Sequence, residues 1–119
     1  MENKLRQDLI DNRITTLVGK DTYGNPKIYL LSAPEGTVAP YVEYQIVQDS
    51  VELFSEGNDD ISKHEIQIDL FTKGNYTQIR DAIKEVMKEK DYTKGIGGSL
   101  YEKDTKLYHY ILRYEKGAE

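Results

Sequence analysis

Residues 64–72, HEIQIDLFT, alternate apolar and polar side chains almost without a break. A strand turns successive side chains to opposite faces, so Ile66, Ile68 and Leu70 share one face and Glu65, Gln67 and Asp69 occupy most of the other. That pattern demands a sheet with one buried face and one wet face. Residues 41–48 carry the same signal, with Val42, Tyr44 and Ile46 against Glu43, Gln45 and Val47. The two runs are expected to pair antiparallel. Ahead of the first lies a loop, residues 33–40, with Gly36 between two prolines. Pro40 fixes its own φ and biases Ala39 toward extended geometry, so the chain enters the strand straightened. A third run, residues 107–114, sets Tyr108, Tyr110, Leu112 and Tyr114 against Leu107, His109, Ile111 and Arg113.

Between the second and third runs the period changes to that of a helix. Ile79, Ala82, Ile83, Val86 and Met87 form an apolar stripe within residues 76–90. Asn75 is placed to cap it, with Gln78 in the capping-box position. Arg80, Lys84 and Lys88 line one flank, and Asp81, Glu85 and Glu89 the other. Pairs such as Asp81–Lys84 and Glu85–Lys88 contribute about 0.2–0.5 kcal/mol each. At the other end of the chain, Leu5, Leu9 and Ile10 predict a short helix over 2–12, and Ile14, Leu17 and Val18 continue its apolar face after a bend, up to Gly19. Residues 20–27 are rich in turn formers, and 28–31 form a short strand. The glycine-rich 93–99 supplies a turn or a bulge, 100–102 begin a strand, 103–106 turn, and 115–119 fray. The expected fold is α+β, one domain over residues 1–119. It is a largely antiparallel sheet of four to five strands with two main helices packed on one face.

Chemistry is harder to find. The run at 94–99 lacks the GxxxxGK[ST] order of a phosphate loop. His64 and His109 are far apart, and no motif supplies further metal ligands. No nucleophile elbow is present. Asp59 and Asp60 have no apolar walls around them to raise a pKa. There are no cysteines. No enzyme activity, cofactor or metal is therefore expected. No signal peptide is expected either, since residues 1–6 are polar and no apolar run follows. No apolar stretch nears the ~20 residues that span a bilayer.

Charge and tyrosine carry more. The net charge is −5, yet residues 28–62 hold no Lys or Arg and seven carboxylates: Glu35, Glu43, Asp49, Glu52, Glu56, Asp59 and Asp60. Such a window is either a solvated loop or a surface that repels polyanions or meets a basic partner. The connection after the first strand also carries Leu53 and Phe54, which either extend the strand or await a partner. Asp49, Glu52, Leu53, Phe54, Glu56, Asp59 and Asp60 are thus a candidate interface or lumen loop. Ten of the twelve aromatics are Tyr, a side chain that suits wet interfaces. Tyr108, Tyr110 and Tyr114 are the candidate interface aromatics.

The run Ala33-Pro34-Glu35-Gly36-Thr37, then Pro40-Tyr41-Val42-Glu43-Tyr44-Gln45, and later Gln67-Ile68-Asp69-Leu70-Phe71-Thr72 before a helix, form a recognisable signature. They resemble the tail-completion, or tail-to-head joining, proteins of long-tailed phages of Gram-positive bacteria and their prophages. The order of elements matches too, from a short helix ending near TTLVG at residues 15–19 to a closing hairpin. The resemblance implies a fold similar to phage tail terminators, which are α+β subunits assembled as a six-fold ring. It implies partners: further copies of the chain in a homo-hexamer, a tail tube protein and a head connector protein. DNA would pass through without specific binding, and no membrane is involved. The place implied is the head–tail interface of the virion, after synthesis in the host cytoplasm. Six copies of the acidic window would set on the order of −40 charges around such a ring, with the loop reaching either a neighbouring subunit or the lumen. The rival readings are a head-completion or connector-stopper protein, a cytoplasmic protein-binding module, and a small-molecule enzyme.

Overall fold

The computed structural model describes residues 1–51 and 61–117. Helices α1 (Glu2–Leu9) and α2 (Asn12–Val18) open the chain. Strands β1 (Ile28–Leu30), β2 (Tyr41–Val51) and β3 (Ile61–Thr72) follow. Then come α3 (Thr77–Glu89), β4 (Thr93–Lys94), β5 (Gly98–Glu102) and β6 (Leu107–Gly117). The strand order is β1-β2-β3-β6-β4, and β5 also pairs with β6. The class is α+β, as the sequence predicts, but the six-stranded sheet is mixed. β1 runs parallel to β2, with Ile28 opposite Val42 and Leu30 opposite Tyr44. All other pairings are antiparallel.

The alternating runs set the register. Val42 lies opposite Leu70, and Leu70 opposite Tyr110; Tyr44, Ile68 and Leu112 form the next row. These side chains, with Ile66 and Tyr114, face one hydrophobic cluster. Ile79, Ile83, Val86 and Met87 of α3 fill it from above, together with Leu5 and Leu9 of α1 and Ile14 and Val18 of α2. All three helices therefore cover the same face. β3 lies at the centre of the sheet, and Ile66, Ile68 and Leu70 are fully buried.

Local chemistry fixes the joints. Asp11 caps α2 by accepting the Arg13 N–H, and the Arg13 guanidinium returns to both Asp11 carboxylate oxygens. These bonds hold the Asp11 carboxyl down at about 2. Arg13 also reaches Glu85, at 3.0 Å, and Glu89 on α3. The acidic flank of α3 thus serves as the seat of α2, in place of the Glu85–Lys88 pair expected along the helix. The N-cap of α3 is Tyr76 in place of the expected Asn75, which stands one residue earlier and accepts the Thr77 N–H at 2.8 Å. The buried Tyr92 hydroxyl donates to Asp8 of α1 at 2.7 Å and ties the first helix to the end of the third.

Several boundaries differ from the expectation. β2 and β3 run past the periodic core as a longer hairpin, and β2 carries a bulge at Val47, between the pairs Ile46–Ile66 and Gln48–Glu65. Residues 115–117, expected to fray, continue β6 and pair with 63–65. The glycine-rich segment is a bulge: it separates β4 from β5 along the same edge of β6. The Ala39–Pro40 bond is cis.

Candidate assembly surfaces

The three tyrosines singled out from the sequence share one face of β6 but not one environment. Tyr114 is buried against Tyr92, with ring centroids 6.4 Å apart. Burial pushes its hydroxyl up to about 12, and that hydroxyl has no hydrogen-bond partner among the described residues. It is a core side chain of the subunit and offers no surface to a partner. Tyr110 is half-buried, edge-on to Tyr76 at 5.0 Å and beneath Arg80 and Lys84. Tyr108 reaches the surface, with Tyr101 at 5.0 Å and Tyr76 at 6.4 Å. Of the loop set, Asp49 lies on β2 and bonds the His64 ring across the hairpin. Glu52, Leu53, Phe54, Glu56, Asp59 and Asp60 lie outside the described residues.

The sheet face turned away from the helices was the face the sequence marked as polar. Tyr41, Phe71 and His109 stack there across three neighbouring strands, with centroid separations of 4.8 and 4.2 Å. Asp69 is buried beside the stack and accepts from Gln67, at 3.0 Å, while lying 2.7 Å from Nε2 of His109. Glu43 stands opposite Asp69 and accepts the Ala33 N–H at 2.8 Å. That bond fastens the proline loop to the sheet. Periodicity alone places Glu43, Asp69 and His109 on the faces opposite the core stripe and shows no cluster there. The expected antiparallel pairing already brings Glu43 and Asp69 to one face, which was the available signal. The arrangement ties strands together and presents no nucleophile. Among the described residues no group of His, Asp and Glu could hold a metal ion.

Burial holds the Glu43 carboxyl above the usual carboxylate range. The Ala33 N–H bond opposes this, the Asp69 charge adds to it, His109 opposes and Glu102 adds. A raised value means that the folded chain binds the proton more tightly than the unfolded chain. The contribution is complete below the unfolded value and is lost as pH rises through the folded one. Glu43→Gln keeps an acceptor for Ala33 and removes the charge. It is expected to raise the thermal midpoint near neutral pH, with the advantage shrinking toward about pH 4. A midpoint below wild type at neutral pH would contradict this.

The two edges of the sheet are unlike, and the β1 edge is partly closed: Arg6 donates to the Ile28 carbonyl and the Ser32 N–H to the Leu30 carbonyl. Beside β1, the apolar Leu30, Leu31 and Val38 are exposed. Along β4 and β5 the exposed apolar residues are Ile96, Leu100 and Tyr101. A family model described as tail completion protein gp17 matches residues 4–116, from α1 into the end of β6. The chain belongs to this family. No individual curated protein matches it. As a tail-completion protein it is a structural component of the phage tail and of the virion, and it interacts with other tail components. The family is not one of enzymes. No helix among the described residues is long and apolar enough to cross a membrane.

Proposed function

We propose that this tail-completion protein closes the head-proximal end of the tail as a ring of six copies and joins the tail tube to the head connector. The observation that carries the reading is the pair of unlike sheet edges, each with exposed apolar side chains beside it. A closed ring needs a head-to-tail contact between two different surfaces of one subunit. A two-fold dimer needs only one self-complementary patch. Exposed apolar side chains at a sheet edge are normally protected in a monomer, so the Leu30, Leu31 and Val38 patch beside the partly closed β1 edge and the Ile96, Leu100 and Tyr101 patch along β4 and β5 suit contact with a neighbour. Here one edge is β1 and the other is β4 with β5. DNA would cross such a ring without specific binding, since each subunit carries a net charge of −5 and like charge repels the duplex.

Antibody labelling of intact virions tests the placement. Label confined to the head–tail junction is expected. Label along the tube or at the distal tip would contradict the joining role.

A further inference from the structure

The β4 side of the subunit holds a cationic cleft that the described residues leave without a counter-charge. Lys84 of α3 and Lys94 of β4 line it, over Tyr110 and the Gly95–Ile96–Gly97 backbone, in a space of about 270 Å³. Lys84 lies close enough to hold the Lys94 ammonium below the usual amine range, and Arg80 adds to the effect. Neither lysine pairs with a carboxylate among the described residues. Ile96, at the rim, is 90% exposed. Two crowded cations beside a bare apolar side chain suit a ligand that is anionic and partly apolar.

The chain contains a segment of that chemistry. Residues 49–60, DSVELFSEGNDD, combine Asp49, Glu52, Glu56, Asp59 and Asp60 with Val51, Leu53 and Phe54, and contain no cation. β2 and β3 carry its two ends outward. Their last pair, Val51–Ile61, lies beyond Lys63–Gly117, where β6 stops, and well beyond the last β1 pair at Tyr44. The geometry points to this acidic segment of one copy docking in the Lys84–Lys94 cleft of the next. The contact is head-to-tail, as a closed ring requires, and the inference rests on the ring reading above. Carboxylates meet Lys84 and Lys94, and the apolar side chains of the segment cover Ile96.

Carbodiimide coupling in particles completed in vitro with mixed light and heavy-isotope copies tests it, because the reagent joins only contacting amines and carboxylates. Isopeptides from Lys84 or Lys94 to carboxylates of residues 49–60, bridging light and heavy copies, are expected. Links confined to one isotope overturn the inference. Multimers without these links keep the ring and overturn the cleft, whereas the absence of any multimer overturns both. Ultraviolet cross-links from DNA to the peptides holding either lysine overturn it in favour of DNA. Reversing the cleft with Lys84→Glu and Lys94→Glu is expected to cut infectious yield at least about tenfold. Adding Glu52→Lys, Glu56→Lys, Asp59→Lys and Asp60→Lys is expected to restore it. Failure to restore yield, with the chain still folded by circular dichroism, counts against the contact. Neutralising the same four carboxylates alone is expected to block assembly. Normal assembly with slowed DNA ejection would instead place the segment in the lumen and overturn the inference.

Discussion

Leu70→Ala is expected to lower stability by about 2–5 kcal/mol. Leu70 is fully buried on β3, the central strand, with Val42 on one side and Tyr110 on the other. The substitution removes three carbons, each worth about 0.8 kcal/mol of transfer free energy. A cavity term adds to this, because hydrogen-bonded ladders on both sides limit how far the site can collapse. Total stability for a domain of this length is on the order of 6–18 kcal/mol, so the loss is a large fraction. Urea unfolding should show a lower midpoint with an unchanged slope. A loss below about 1 kcal/mol would mean that the centre of the core lies elsewhere.

Gly97→Ala is expected to cost about 1–3 kcal/mol through overpacking, with the strain concentrated at the sheet edge. A Cβ at this position would overlap the Ile111 carbonyl oxygen, which is backbone and cannot swing away. Either the bulge or β5 must move. Gly98→Ala is the control, because nothing lies within 4 Å of its added Cβ. It is expected to stay within about 0.5 kcal/mol of wild type. Hydrogen exchange localises the effect: faster exchange of the β5 amides in the first variant, and unchanged exchange in the second. Equal behaviour of the two variants would contradict the bulge geometry. Because Gly97 also lines the Lys84–Lys94 cleft, the first variant is expected to lose infectivity as well.

The elements legible in the sequence are those whose periodicity is enforced by the core. The stripe on α3 buries Ile79, Ile83, Val86 and Met87 and the alternation on β3 buries Ile66, Ile68 and Leu70, whereas the same alternation on β6 buries Leu112 and Tyr114 and leaves Tyr108 exposed. The antiparallel pairing of β2 with β3 followed from two matched patterns. What was hidden lies where the core does not reach. Val47, Gln48 and Asp49 are all exposed, so this stretch of β2 has no buried face to write a period-two pattern. Residues 115–117 are strand because they pair with 63–65, a tertiary cause that local composition cannot show. β1 is three residues long and joins β2 through a ten-residue loop, shorter than parallel crossovers usually are. Its parallel direction was therefore unreadable. Among the assembly surfaces, Tyr108 was legible as a surface aromatic. Tyr114 was not separable from it by sequence, since both occupy the same face of β6. The difference is that Tyr114 lies under Tyr92 while Tyr108 extends past the helices.

The joining role is tested most directly by electron microscopy of lysates from the parent phage with this gene deleted. Filled heads beside detached tails are predicted, with tails of normal length if the protein only joins and overlong tails if it also stops tube growth. Intact, infectious particles would contradict the account.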